Sequence, residues 1–306
     1  MTSGLLTRLA CVSSTWTPQQ RLHVGNVAWA DSHGDGSSTP DATLGWGEPM
    51  VGFADIWQAG SAGTPAEATI HLSPPADDKQ RKAAIQDLLD KAPVVTLEVS
   101  RQDTALVDAL LANGFREAAG PWFAQLWRTV NDLSDLDDWV PADGYTIRAM
   151  NPARPTDLAE RVELHRRCWD PARIKAMLGL AITGAEAGSS YSMEKHHAAM
   201  RTPVYRPELD LVAVAANGDF AAYALGWMDE QHGCVLFEPI GTDPAHTGRG
   251  LARAICSEVL RVARELGAVQ AVVAPRGDAG YPVPRRLYQS LGMREVAQFV
   301  PLTNEH

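Results

Sequence analysis

Between a β-rich run and a long apolar-periodic stretch the chain reads Thr242-Asp-Pro-Ala-His-Thr-Gly248-Arg249-Gly250-Leu251-Ala252. Two glycines one residue apart, at the mouth of a helix, let the backbone approach a ligand and turn successive N–H groups toward one anion. The helix adds the positive end of its dipole and Arg249 adds a cation, so a diphosphate fits such a nest. A plain helix-capping loop explains an isolated glycine pair about as well. Upstream, Glu238 stands between Phe237 and Pro239 on the preceding strand. A partly buried carboxylate there has a raised pKa and can take a proton, directly or through water. A solvent-facing carboxylate that only attracts a cationic substrate fits the same position. His196, His197, Asp229 and His232 are rival bases. Adjacent histidines on a helix point to different faces, and surface positions for both are the simpler reading. No further His, Cys or Asp group follows at ligand spacing, so no metal is expected.

These residues need elements to hold them. Apolar spacing predicts helices over Asp77–Lys91, Leu106–Ala112, Asp157–Cys168 (capped by Thr156 or Asp157), Leu251–Leu266 and Pro284–Leu291. Strands are expected at Thr43–Gln58 (one strand or a bent hairpin), Ala68–Leu72, Pro93–Val99, Trp122–Val130, Tyr145–Arg148, Leu211–Ala215, Phe220–Met228, Cys234–Thr242, Val269–Ala274 and Glu295–Pro301, with Asn217-Gly218 as a hairpin turn. Asp31–Pro40 reads as a loop, and Asp170–Met200 has no strong pattern. The acidic stretch Asn131–Asp143 is the expected linker. The halves echo each other: strand, helix, Asn-Gly114-Phe-Arg-Glu, strand in the first, and strand, helix, Leu-Gly292-Met-Arg-Glu, strand in the second. One α/β unit used twice is the expectation, with residues 1–130 as one domain, 131–143 as linker and 144–306 as the other.

The segment Thr247-Gly248-Arg249-Gly250-Leu251-Ala252 resembles the Arg/Gln-x-x-Gly-x-Gly/Ala pattern that opens the long helix in the GNAT superfamily of N-acetyltransferases. Thr247 stands where the family usually has Arg or Gln. The strand Glu238-Pro-Ile240-Gly241-Thr242 resembles that family's bulged strand, and Arg286-Leu287-Tyr288-Gln-Ser-Leu-Gly292-Met293 its LYxxxGF motif, with Tyr281 at the place of a usual Asn. The resemblance implies two tandem units, each a mixed, mostly antiparallel sheet flanked by helices. It also implies acetyl-CoA as cosubstrate, held by Ile240, Gly241, Thr242, Thr247, Gly248, Arg249, Gly250, Leu251 and Ala252. Tyr288 would then protonate the departing thiolate, a transfer between groups whose reference pKa values lie within ~2 units, and Glu238 would deprotonate the amine. A packed helix tyrosine is the alternative for Tyr288. Around Lys79–Lys82 the first half has no glycines, and Leu110 takes the place of Tyr288, so it reads as a degenerate copy in an organisation similar to that of the mycothiol synthases. The acceptor would be the amine of a small molecule or peptide. A non-catalytic acyl-CoA- or metabolite-binding module on the same fold is the alternative function.

Bulk numbers agree with this frame. The 306 residues, 45% of them hydrophobic, allow two domains and a sizeable core. A formal charge of −10 disfavours nucleic acid and favours a cationic, amine-bearing substrate. Cys11, Cys168, Cys234 and Cys256 form no CxxC pair and read as reduced, mostly buried thiols. The start is a poor signal peptide and no run of ~18 apolar residues occurs, so a cytoplasmic protein without membrane contact is expected. Trp169, Tyr191 and Trp227 can line an acceptor pocket, although aromatics at such places are more often core.

Overall fold

The computed structural model describes residues 40–47, 51–58, 65–72, 76–136, 139–179, 188–189, 191–202, 204–230 and 232–305. Cys11 and nearly all of the expected loop at Asp31–Pro40 lie outside them. The contacts divide the chain into two compact units. The first takes the chain up to Gln125 with Ala274–Asp278 and Glu295 onward, and the second takes Leu126–Val273 with Ala279–Arg294.

In the first unit β1 (Ala42–Trp46), β2 (Gly52–Trp57) and β3 (Ala66–Leu72) pair antiparallel in sequence. Helix α1 (Asp78–Lys91) then crosses over to β4 (Val95–Ser100), which lies parallel to β3. The helix opens with a capping box: Asp77 accepts from the Gln80 N–H at 2.8 Å, and Gln80 accepts from the Asp77 N–H at 2.8 Å. Its apolar residues Ala84, Ile85 and Leu88 pack with Val95, Leu97 and Val99, the buried alternate positions of β4. Helix α2 (Thr104–Ala112) follows, then the two-residue β5 (Arg116–Glu117).

The second unit orders its strands as β6 (Phe123–Thr129, of which it takes Leu126–Thr129), β11 (Gln270–Val273), β10 (Cys234–Thr242), β9 (Phe220–Asp229), β8 (Tyr205–Ala215) and β7 (Tyr145–Ala149). Only β10 and β11 run parallel; the other pairs are antiparallel. Helix α6 (Leu251–Glu265) makes the parallel crossover, as α1 does in the first unit. Between β7 and β8 lie α3 (Pro155–Cys168), α4 (Pro171–Met177) and α5 (Met193–Met200); α7 (Val283–Ser290) follows β11. Each unit is thus a mixed, mostly antiparallel sheet with helices, and the echo holds in the turns: Gly114 after α2 has φ 84° and Gly292 after α7 has φ 75°.

The compact units depart from the linear division in their closing strands. Residues Leu126–Thr129 of β6, from the first half of the chain, pair with β11 in the second unit. The last strand, β12 (Arg294–Thr303), pairs with β4 in the first. Strand pairing satisfies whichever ladder edge is open, and chain order does not dictate it. The stretch expected as a linker is packed within the second unit. Leu133 and Leu136 are buried, Arg128 meets the Asp135 carboxylate at 2.9 Å, and Arg261 donates to the Leu136 carbonyl at 2.5 Å. Two local details also differ. Arg154, with no side-chain cap, precedes α3, and Asp157 instead accepts from Arg148 at 2.6 Å. Helices α4 and α5 form where no pattern was legible. Among the described residues no helix is long and apolar enough to cross a membrane.

Candidate active site

Strand β10 is paired on both sides only at its start. Against β11 the register runs Cys234–Leu236, and β10 then continues to Thr242 with no strand on that side of it among the described residues. Against β9 the partners step from Phe237↔Gly226 to Ile240↔Ala224, so Glu238–Pro239 carries one extra residue, a bulge. The Glu238–Pro239 peptide is cis, and Trp227 Nε1 donates to the Glu238 carbonyl. Expected as a pocket wall, Trp227 is buried and braces the bulge. Gly241 is fixed by packing: a Cβ there would lie 2.7 Å from the Tyr223 ring and 2.8 Å from Cys168 Cβ. Ile240, Gly241 and Thr242 therefore offer a splayed strand edge whose backbone has no ladder partner toward β11.

At the end of β10, Asp243 accepts from the Ala245 N–H at 2.9 Å and starts a 3-10 turn over Pro244–His246; Thr247 Oγ1 donates to the Pro244 carbonyl at 3.2 Å. Gly248 and Gly250 follow at φ 76° and 71°, and a Cβ on either would meet nothing within 4 Å. Backbone conformation requires these glycines, and the space above them is open. Gly250 is the N-cap of α6 and no side chain caps that helix end, so its first N–H groups keep their partial positive charge. Arg249 is exposed, 6.0 Å from the Tyr145 ring centroid, while Leu251 is buried and Ala252 half-buried.

Helix α7 brings Tyr288 to the bulge. Its ring centroid lies 6.5 Å from that of Phe237, the neighbour of Glu238, and the residue is 7% exposed. Burial, then the nearby Cys256, Glu238 and Tyr281, holds the phenol pKa well above its ordinary value. Among the described residues the hydroxyl has no hydrogen-bond partner. The group is a neutral phenol with an uncommitted proton. Glu238 beside it is half-buried. The rival bases lie elsewhere. His196 is not on the surface: it is fully buried, 2.6 Å from the Tyr191 hydroxyl and 3.3 Å from Asp210. His197 is exposed, and His232 pairs with Asp229 at 3.2 Å beyond the far end of β10.

Sequence reasoning missed a buried polar cluster behind the sheet. Arg161, His165 and Trp169 recur at helical spacing along and just past α3, which is the signal that was available. Arg161 and Asp210 pair at 2.9 Å with neither side chain exposed, and the guanidinium sits 3.6 Å from the Tyr223 ring centroid. Burial alone raises the Asp210 carboxyl; the Arg161 guanidinium and His196 override it and bring it down to about 2. The Tyr223 hydroxyl lies 2.8 Å from His165 Nδ1 and accepts from Trp169 Nε1 at 2.7 Å.

Residues 180–293 match the acetyltransferase (GNAT) family. The GNAT match contains β8 through α7, and so includes Glu238, the glycine turn and Tyr288. A tandem GNAT protein from the clavulanic acid biosynthesis pathway has a similar fold, with 17% identity over 90% of this chain and 93% of that one and a TM-score of 0.58. A GCN5-related N-acetyltransferase from Sphaerobacter thermophilus has 18% identity over 83% and 76% of the two chains, with a TM-score of 0.55. L-PGS from Bacillus licheniformis has 12% identity over 95% and 93%, also with a TM-score of 0.55. At these identities the likeness is one of fold. A comparison with curated protein sequences gives no match.

Proposed function

We propose that the second unit transfers an acetyl group from acetyl-CoA to the amine of a small molecule or peptide. One observation carries the reading. Within the GNAT-matched stretch, a buried phenol with a raised pKa and no hydrogen-bond partner among the described residues stands beside a bulged strand whose outer edge is unpaired among those residues. The glycine turn Thr247–Ala252 takes the diphosphate, and the edge of Ile240, Gly241 and Thr242 takes the pantetheine. Glu238 accepts the amine proton, and Tyr288 gives its proton to the thiolate that leaves. This division needs no metal.

The same reading gives one cosubstrate site per chain. At α6 the cap is a glycine without a side chain, whereas α1 spends the Asp77 and Gln80 N–H groups on its own capping box. The first unit is then a copy that kept the fold and lost the chemistry. Calorimetry with acetyl-CoA, followed by thiol release across a panel of amines, tests both statements. One site per chain and amine-dependent release support them. Two equivalent sites would contradict the first statement, and binding without release from any amine would make the protein an acyl-CoA-binding module.

A further inference from the structure

A groove of about 480 Å³ opens beside the C-terminal end of α3, lined among others by Arg166, Arg167, Arg173, Asp170, Ser189 and Asp243. Its charges are unevenly spent. Arg167 is held by Asp243 at 2.5 Å and Glu160 at 2.9 Å, so its own charge is neutralised in place. Asp170 is committed to capping α4, accepting from the Arg173 N–H at 2.9 Å. Arg173 gives one nitrogen to the Cys168 carbonyl at 2.6 Å and pairs with no carboxylate among the described residues. Arg166 has Glu163 at 3.6 Å, with the two side chains 45% and 55% exposed, a contact that water readily replaces. Two guanidinium groups thus face one groove in a chain whose formal charge is −10. Planar N–H forks of this kind suit a carboxylate.

The α3 wall of the groove and helix α6 belong to different faces of the sheet, with Asp243 and Pro244 of the groove leading toward the glycine turn. The Cβ direction of Gly241, paired with Tyr223, meets Cys168 of α3, whereas that of Gly226 meets Val259 of α6. Tyr223 and Gly226 are an odd number of residues apart on β9, so they point to opposite faces, and α3 and α6 cover opposite faces. We propose that the groove binds a carboxylate of the acceptor. This rests on the acetyl-transfer reading given above. Four residues of β10 separate Glu238 from Asp243 at the groove, at most ~16 Å of extended strand. A short peptide can reach over that length between its amine and its carboxylate. The acceptor class is an amine with a distant carboxylate, as at the two ends of a tri- to pentapeptide.

The test compares pools of free tri- to pentapeptides with the same pools amidated at the C-terminus, reading thiol release from acetyl-CoA. The acid pools are expected to give kcat/KM at least ~10-fold higher, mainly through KM. Arg173→Gln and Arg166→Gln together should erase the difference and leave the amide rate and acetyl-CoA affinity unchanged. Equal rates for acid and amide pools would overturn the proposal, and so would a preference that survives both substitutions. If other amines drive release and peptides do not, the inference fails and the acetyl-transfer reading stands. If no amine drives release, both fail. Should the double variant weaken binding of CoA but not of dephospho-CoA, the groove belongs to the CoA 3′-phosphate and the proposal is wrong.

Discussion

Replacing Tyr288 with phenylalanine separates chemistry from packing, because the structure gives the hydroxyl no structural work. The ring packs near Phe237 and the residue is buried; the oxygen has no partner among the described residues. Tyr288→Phe should therefore leave stability within ~0.5 kcal/mol of the parent and leave CoA affinity unchanged. The rate of the chemical step should fall by ~10²–10⁴-fold, the usual worth of a positioned acid, or roughly 3–5 kcal/mol of transition-state stabilisation. The pH signature follows from the direction of the pKa shift. The acid acts when protonated, and burial keeps it protonated past the ordinary phenol range, so Tyr288 should impose no alkaline fall in kcat below about pH 10. The same shift has a stability consequence of fixed sign. A folded pKa above the unfolded one contributes stability that is complete below about pH 10 and lost as pH rises toward the folded value, and the phenylalanine variant should lack that alkaline loss. Single-turnover thiol release and thermal melts from pH 7 to 11 read all of this. A phenylalanine variant whose single-turnover rate stays within ~3-fold of the parent would reduce Tyr288 to a packing residue and refute the reasoning.

Four further outcomes are expected. Glu238→Gln should alter the acid limb of the pH–rate profile; an unchanged limb would hand the base role to another group or to water. Gly250→Ala meets no atom within 4 Å but places a Cβ at φ 71°, so it should cost ~1 kcal/mol of stability through backbone strain alone, whereas Gly250→Arg should abolish CoA binding in calorimetry by filling the open space. Asp210→Asn should destabilise by ~3–5 kcal/mol in denaturant titration because it strands the buried Arg161 charge. In the parent the Asp210 contribution should be present above about pH 4 and disappear as pH falls toward 2, since its folded value lies below the unfolded one. Cys168, pushed up to about 12 by burial, and the likewise buried Cys234 and Cys256 should not react with a thiol reagent until the protein unfolds, which native-state labelling by mass spectrometry would check.

What was legible in the sequence had a local cause. The glycine turn, the long amphipathic α6, the capped α1 and the glycine-ended α2 and α7 each depend on residues within a few positions of one another, and all appear in the structure. Both closing strands, β6 and β12, were legible, but which unit each would join was not, because that is decided by a free ladder edge far away in sequence. His196 failed for the same reason. Its burial comes from Tyr191 nearby and from Asp210 on β8, and no spacing rule announces that partner. The two sides of the proposed reaction divide along this line. The cosubstrate side is built from one continuous strand, turn and helix, so its motif survives as a string of neighbouring letters. The acceptor side is built from arginines on α3 and α4, and on a helix an Arg-Arg pair followed by another Arg reads as a solvated surface. Only the fold shows that Arg167 is held between two carboxylates while Arg173 meets none among the described residues. The strand, turn and helix of the proposed cosubstrate side follow from neighbouring residues, whereas the state of the proposed acceptor-side arginines depends on carboxylates distant in sequence, as Asp243 is from Arg167, and no local pattern announces them.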